Sequence, residues 1–210
     1  METQAVITGD IINFTKLSPI KRKQLVESTE ILIKNWTKKK SNAEMFRGDS
    51  YQVLFDDPTK AIIKSIQLIC WFKTNSDPTA HISISSRISI GIGAISYQGK
   101  NVLSSDGEAF HLSGRNFDKM KEHEYLTIHT NDQEKNKGIE IILNFMNKYI
   151  GSWTTGQAEV ILMLLDGHTQ QEIAAALSLS QPSVNSRLKS AGWKEFEPAI
   201  NYIGNLATQK

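Results

Sequence analysis

The sequence predicts an α+β domain followed by a small all-helical domain, and two observations lead to this prediction. Up to about residue 150, short stretches in which apolar and polar residues alternate are interleaved with longer stretches whose apolar residues recur at helical spacing. Alternation is typical of strands with one buried face, and helical spacing is typical of amphipathic helices. From residue 151 onward only helical spacing remains, in a segment rich in Ala, Leu, Ser and Gln. We therefore predict one domain at residues 1–150 and a second at residues 151–210.

The composition narrows the class of protein. A hydrophobic fraction of 40% supports a packed core, and 24 Lys and Arg against 22 Asp and Glu leave a formal net charge of +2. This charge neither favours nor excludes nucleic acid, so any DNA contact has to come from a local surface. The single cysteine, Cys70, lies in an apolar run and is expected to be buried. No apolar stretch approaches the ~20 residues needed to cross a bilayer, and we expect a soluble cytoplasmic protein.

The first half of the α+β domain begins with a strand at about residues 4–10. Ser18 and Pro19 are typical of a helix N-cap and first helical residue, and the helix that they start extends to Trp36. Two short strands at residues 44–55 follow. Gly48 allows a positive φ in the tight turn between them, so this segment is predicted to be a hairpin.

The second half begins with a helix started by Asp57 and Pro58, followed by a central strand within residues 81–95. Gly91 and Gly93 have no side chains, so we expect a backbone or a ligand to approach closely there. The remaining predicted elements are a helix at 108–121, a strand at 125–128 and, after a break at 136–138, a helix at 139–150. The order β-α-β-β-α-β-α-β predicts a sheet with helices packed on one face.

Two aspartates are the candidate metal ligands. Asp10 follows Gly9 at the end of the first strand, and Asp49 follows Gly48 at the tip of the hairpin. If the strands pair, the carboxylates converge, and two such charges about 4 Å apart repel by a few kcal/mol at an effective dielectric constant of about 20. A cation, Mg²⁺ or Mn²⁺, would remove this repulsion. The alternative is that both residues are ordinary turn or cap residues.

Residues 170–188 have the spacing of a helix-turn-helix. Apolar residues fall where two helices that cross over a short turn need contacts, at Ile173, Leu177, Leu179, Val184 and Leu188. Ser180 is expected to cap the second helix, and Ala174 is small where that helix passes closest. The motif resembles that of LuxR-type regulators and of the promoter-reading domain of sigma factors.

The second helix would present polar side chains to DNA. Amide groups can read adenine by paired hydrogen bonds, and basic groups suit phosphates. The predicted DNA-binding residues are Gln181, Ser183, Asn185, Ser186, Arg187 and Lys189. The alternative is a helical hairpin used for dimerisation or for covering the first domain, which nearby acidic residues favour to some extent.

The first domain resembles the SatD family of bacterial proteins in four sequence segments. These are Ile7–Ile11, Arg47–Gln52, Arg87–Gly93 and Asp106–His111. A similar helical C-terminal segment is often found in that family. Its biochemical role is poorly defined, so this resemblance implies a fold and domain order rather than an activity.

The same segments are also similar, more distantly, to the catalytic domain of class III nucleotide cyclases. Residues 10–15, Asp-Ile-Ile-Asn-Phe-Thr, match the cyclase pattern Asp-Ile-x-x-Phe-Thr. The resemblance implies a ferredoxin-like, nucleotide-cyclase-like sheet with metal-binding residues Asp10 and Asp49. It also implies that Arg115 contacts phosphate, with His111 where cyclases hold an asparagine. The ligand-binding residues implied are Asp10, Ile11, Phe14, Thr15, Asp49, His111 and Arg115.

Two departures from the cyclase pattern favour a binding protein over an enzyme. Ala43 and Ser104 stand where cyclases place a base-selecting lysine and its acidic partner. A pocket without those groups loses the contacts that choose a base, and no residue is assigned a catalytic role.

The favoured hypothesis is a DNA-binding regulator whose first domain senses a nucleotide or related phosphate ligand. The alternatives are a metal-dependent nucleotide cyclase or nucleotidyl-transfer enzyme, and an interaction module with a vestigial site. Both leading hypotheses imply a homodimer. In cyclases the site is built across a head-to-tail pair, so Arg115 of one chain would serve Asp10 and Asp49 of the other.

Overall fold

The structure is a computed structural model that describes residues 3–209. Over that range the chain forms eight α-helices and seven strands, which confirms the α+β class. The strands are β1 (Gln4–Ile12), β2 (Ala43–Phe46), β3 (Ser50–Phe55), β4 (Ser85–Gly93), β5 (Ile95–Tyr97), β6 (Asp106–Gly107) and β7 (Leu126–His129). The helices are α1 (Pro19–Trp36), α2 (Pro58–Thr74), α3 (Glu108–Phe117), α4 (Gln133–Ser152), α5 (Thr155–Leu165), α6 (Gln170–Ala176), α7 (Gln181–Ser190) and α8 (Trp193–Thr208).

Five strands form one mixed sheet in the order β2-β3-β1-β4-β7. The central strand β1 is antiparallel to both of its neighbours, β3 and β4, whereas β7 is parallel to β4. Strands β5 and β6 form a separate two-stranded ribbon. The long β1 therefore pairs with β4 along its whole length and with β3 from Ala5 to Asp10, and β2 and β7 are the two edges.

Local signals in the sequence set most element starts as predicted. The Ser18 hydroxyl accepts from the N–H of Lys21 at 3.4 Å, at the start of α1. The Asp57 carboxylate accepts from the N–H of Thr59 at 2.8 Å and caps α2. Gly48 has a φ of 90° in the hairpin turn, a conformation that glycine adopts without strain. These predictions are confirmed.

Helices cover both faces of the sheet, so the prediction of helices on one face is wrong. One face packs against α1, α2 and α4 in the main hydrophobic core. On the other face α3 covers β1 and β4, and Ala109 and Phe110 pack there with Val6. A Cβ atom at Gly91 would lie 2.1 Å from the carbonyl oxygen of Ala109. The absence of a side chain at Gly91 thus admits the backbone of α3, which confirms the expected close approach.

Helix α4 begins six residues before its predicted start. The Asp132 carboxylate accepts from the N–H groups of Glu134 and Lys135 and caps the helix, so the predicted break at residues 136–138 lies inside it. The helix continues to Ser152, past the predicted domain boundary. In the other direction, α3 ends at Phe117, before its predicted end.

The C-terminal helices share a core with the sheet domain. Buried residues of α5, α7 and α8 belong to the same hydrophobic cluster as those of α2 and α4. The buried Lys73 of α2 donates from Nζ to the carbonyl of Trp153 at 3.1 Å, and the Trp153 indole donates to the carbonyl of Ala191 at 2.8 Å. Tyr149 of α4 packs edge-on against Phe196 of α8, with ring centroids 6.0 Å apart. The division into domains at residue 150 stays a prediction.

Between residues 3 and 209, no helix has the combination of length and hydropathy that crossing a membrane requires.

Candidate functional site

The sheet brings the backbones of Asp10 and Asp49 to the same end of neighbouring strands. Asp10 pairs with Ser50 in the β1–β3 register, and the N–H of Ile11 donates to the carbonyl of Asp49 at 3.0 Å. The Asp49 carboxylate is partly exposed and accepts a hydrogen bond from the Ser50 hydroxyl at 3.3 Å. The predicted pairing of the strand end with the hairpin is therefore present in the fold.

Arg87 neutralises Asp10 within the same chain. It lies directly opposite Asp10 in the β1–β4 register, and its guanidinium makes two contacts with the carboxylate, Nη2 to Oδ2 at 2.6 Å and Nε to Oδ1 at 3.2 Å. Hydrogen bonding to Asp10 raises the pKa of the Arg87 guanidinium, which also lies over the ring of Phe117 at 5.4 Å. Such two-point arginine–carboxylate contacts are among the stronger ion pairs in proteins.

This ion pair bears directly on the predicted metal site. A divalent cation at Asp10 would have to compete with Arg87, and residues 3–209 hold no group of three or more His, Cys, Asp or Glu side chains placed to bind a metal ion. The donor set formed by Asp10 and Asp49 thus fits Mg²⁺ or Mn²⁺ poorly while Arg87 is in place.

Sequence reasoning missed the role of Arg87 because a cross-strand partner depends on register. Alternation in residues 85–93 predicts the strand, but nothing local says which residue of β1 each side chain will face.

The other predicted residues of this region have different surroundings. Ile11 is buried in the core and its N–H is already bonded to Asp49, so neither its side chain nor its N–H is available to a ligand. Phe14 and Thr15 lie in a single 3-10 turn, and a Cβ atom at Gly48 would lie 4.0 Å from a ring carbon of Phe14. Phe14 therefore lies beside the hairpin tip that carries Asp49.

His111 and Arg115 line a single groove on α3, as their spacing predicts. The groove has a volume of about 480 Å³, and Asn116 and Lys119 line it as well. The His111 imidazole lies 3.1 Å from the carboxylate of Asp106. Neither Asp10 nor Asp49 lines this groove, so one chain alone does not bring the two predicted sets of residues together. Completion of a shared site by a second copy stays a prediction.

The positions that align with the base-selecting residues of cyclases carry no charge. Ala43 is buried at the start of β2. The Ser104 hydroxyl bonds locally to the backbone of Asn101 in a 3-10 turn. The sequence comparison at these two positions considered residue type alone. In the structure, neither Ala43 nor Ser104 has a partner that could form hydrogen bonds with a base.

Helices α6 and α7 pack together as the spacing of their apolar residues predicts. Ile173, Val184 and Leu188 are buried, and the N–H of Leu179 donates to the carbonyl of Ala174 at 2.8 Å across the turn. The Ser180 hydroxyl accepts from the N–H of Ser183 at 3.3 Å and caps α7. The apolar side of α7 is therefore fixed in the core, and its orientation is set.

The predicted DNA-binding residues of α7 fall into two groups. Gln181, Asn185, Ser186 and Lys189 are exposed on the outer side of the helix. By contrast, the Arg187 guanidinium donates to the carbonyl of Gly156 at 3.1 Å and lies 3.9 Å from the carboxylate of Glu159. Arg187 is thus held against α5 with its side chain 35% exposed. Ser183 takes part in the helix cap.

Comparisons of the chain with protein-family models, with curated proteins and with solved structures gave no significant match. The resemblances to the SatD family, to nucleotide cyclases and to LuxR-type and sigma-factor motifs therefore depend on the residues quoted for them.

Proposed function

We propose that this protein is a DNA-binding transcription regulator whose sheet domain binds a nucleotide or related phosphate ligand. The observation that carries the proposal is the outer side of α7. Gln181, Asn185 and Lys189 are exposed and succeed one another at four-residue intervals, while Val184 and Leu188, on the adjoining side of the helix, are buried in the core. Two amides and one ammonium group in a row can contact base edges and a phosphate in a major groove.

The contacts of two acidic residues support the same reading. Acidic side chains near α7 were the argument against DNA binding, yet Glu159 lies beside Arg187, and Glu172 is hydrogen-bonded to Thr169 in the cap of α6. These hydrogen bonds lower the pKa of Glu172 and keep its carboxylate directed at its own helix end. These two carboxylates are therefore engaged at α5 and α6, whereas Glu195 and Glu197 of α8 are exposed.

The ion pair between Asp10 and Arg87 favours the regulator over the metal-dependent enzyme. A two-metal mechanism for nucleotidyl transfer needs carboxylates that are free to hold cations. One of the two predicted carboxylates is already paired. Nucleotide cyclase or nucleotidyl-transfer activity is therefore the less supported alternative. The proposal also includes a homodimer of this chain.

The test is direct binding of DNA by α7. Fluorescence anisotropy at low salt, with a pool of fragments that flank the coding region, should detect binding by the unaltered protein. Asn185→Ala combined with Lys189→Ala should weaken it at least about tenfold, because a good amide–base contact discriminates by about 1–3 kcal/mol.

The matched control removes one amide and one lysine elsewhere. Lys23→Ala with Gln24→Ala alters exposed residues of α1 and should leave affinity unchanged. Equal loss in both double variants, or no DNA binding by the unaltered chain at low salt, would overturn the proposal. A monomeric mass by light scattering would remove its dimeric part.

A further inference from the structure

The free edge of β7 is closed at both ends by asparagine side chains of α4. At one end, the Asn147 carboxamide accepts from the N–H of Leu126 at 2.9 Å and donates to its carbonyl at 3.0 Å. At the other end, the Asn136 carboxamide accepts from the N–H of Thr130 and donates to its carbonyl, both at 2.8 Å. Each amide thus satisfies both backbone groups of one residue, as a neighbouring strand would.

Between these two residues, Ile128 has no such partner. Backbone groups alternate sides along a strand, so the N–H and C=O of Ile128 point to the same edge as those of Leu126 and Thr130. Ile128 is 2% exposed, and none of residues 3–209 supplies a hydrogen bond to its edge-facing groups. Buried backbone groups without partners are costly, and native structures usually satisfy them with water or a ligand.

A cavity of about 220 Å³ lies in front of Ile128, and we call it the β7 slot. Its walls come from β7, from Leu143 and Asn144 of α4, and from the chain that follows α3. Thr127 also lines this slot, and its hydroxyl oxygen is buried without a partner among the described residues. Burial lowers the pKa of His129, which also lines the slot, so its imidazole is neutral near pH 7. The slot is therefore a narrow space with an apolar wall at Leu143 and unpaired backbone groups at Ile128, and its charged lining residues include Lys121, Glu124 and Glu140.

The β7 slot adjoins the groove that contains His111 and Arg115. Asn116 and Lys119 line both spaces. Arg115 lies in α3 and Lys119 in the turn that follows it; both are exposed and both line the groove. A planar group in the slot would thus have two cations within reach of an anionic substituent, at the point where the two spaces meet.

We propose that the β7 slot binds the base of a nucleotide, edge-on to the N–H and C=O of Ile128, with its phosphate beside Lys119 and Arg115. The proposal deepens the proposed sensing function and rests on it. Asn136 and Asn147 show the shape that fits: a planar edge with a hydrogen-bond donor next to an acceptor. Nucleobases have such an edge.

The same asparagines exclude the obvious macromolecular occupant. An added peptide strand would need the backbone groups of Leu126, Ile128 and Thr130 in succession, and two of these three residues are already satisfied. One open pair suits a small planar group rather than a strand. The ligand is therefore held by one chain and needs neither Asp10 nor Asp49.

Isothermal calorimetry with AMP, GMP, UMP and CMP tests the proposal, with ribose 5-phosphate and the free nucleosides as partial ligands. At least one nucleotide should bind about tenfold or more tightly than either of its parts. Lys119→Ala should weaken that binding about tenfold, because a charge-assisted contact is lost. Asn144→Trp should abolish it by filling the slot.

Matched variants separate these effects from general damage. Lys137→Ala removes an exposed lysine of α4 that is paired with Glu134, and Ile141→Trp places the same large ring on the 61% exposed outer side of that helix. Both should bind nucleotide as the unaltered protein does. In ¹⁵N-resolved NMR spectra, the amide resonance of Ile128 should move on titration.

Three outcomes would overturn the inference. The first is nucleotide binding that Asp49→Ala abolishes but that Lys119→Ala and Asn144→Trp leave intact. The second is nucleotide binding without any change in the NMR resonances of residues 127–129. The third is that none of the four nucleotides binds. DNA binding is measured separately without nucleotide. If the unaltered protein binds DNA through α7 but no nucleotide binds in the slot, only this inference is removed. If the unaltered protein does not bind DNA, the proposed function is removed.

Discussion

Replacing Arg87 with methionine isolates the ion pair that decides how the predicted metal site is understood. Methionine keeps much of the aliphatic volume over Phe117 but removes the two contacts to Asp10, at 2.6 and 3.2 Å. The side chains of Arg87 and Asp10 are 33% and 23% exposed, so solvent screens part of their attraction. We expect a stability loss of about 1–2 kcal/mol, between an exposed pair and a buried one. For a chain of this size that corresponds to a fall in Tm of roughly 2–8 °C.

The same change should create a cation site. With Arg87 absent, the Asp10 carboxylate is free to join Asp49, and Arg87→Met should bind Mn²⁺ about tenfold or more tightly than the unaltered protein, because a competing cation has been removed. Calorimetric titration with MnCl₂ measures this.

Asp10→Asn with Arg87→Met is the control, since it removes the carboxylate as well and should bind Mn²⁺ no better than the unaltered chain. Equal Mn²⁺ affinity in the unaltered protein and in Arg87→Met would refute the reasoning. In that event Arg87 does not compete for Asp10.

Two further predictions concern stability. Burial lowers the pKa of Lys73, so the unfolded chain holds this proton more tightly than the folded one. The free energy of unfolding should therefore rise with pH from the lowered pKa up to the ordinary pKa of lysine. Lys73→Met should flatten that rise, which urea unfolding between pH 8 and 10.5 measures. The same dependence of stability on pH in the variant and in the unaltered protein would contradict this. Gly91→Ala should cost about 1–3 kcal/mol, because its Cβ would meet the backbone of α3. Gly114→Ala, where a Cβ meets nothing within 4 Å, should instead stabilise α3 by about 0.5–1 kcal/mol; equal effects in urea unfolding would refute the close approach.

Signals that act within a few residues of the chain were sufficient to predict much of the fold. Ser18, Asp57 and Ser180 cap helices because their side-chain oxygens reach N–H groups two or three residues ahead, whatever the tertiary structure. Gly48 predicts the hairpin turn for a similar local reason. The absence of side chains at Gly91 and Gly93 predicts a close approach, although it does not tell whether a helix or a ligand will approach.

The errors arose where a residue has two possible uses. Asn136 and Gly138 resemble a helix break, but the Asn136 side chain bonds to Thr130 while its backbone stays helical, and Asp132 caps the helix upstream. The side of the sheet that α3 occupies depends on the whole topology and has no signature in the sequence of α3.

The candidate site shows the same division. One-turn spacing places His111 and Arg115 together, because helix geometry fixes it. The partner of Asp10 and the open backbone groups of Ile128 depend on strand register and sheet order, which short stretches of sequence do not specify.

The core that α2 and α4 share with the last four helices has a practical consequence for anyone who works with pieces of this protein. Cutting the chain at residue 150 would open to water the apolar side of α2 that now faces α5 and α8, and would leave the ammonium group of Lys73 without the carbonyl of Trp153. The fragment would expose a large apolar surface and would be prone to aggregation. Ligand and DNA measurements are therefore best made on the intact polypeptide.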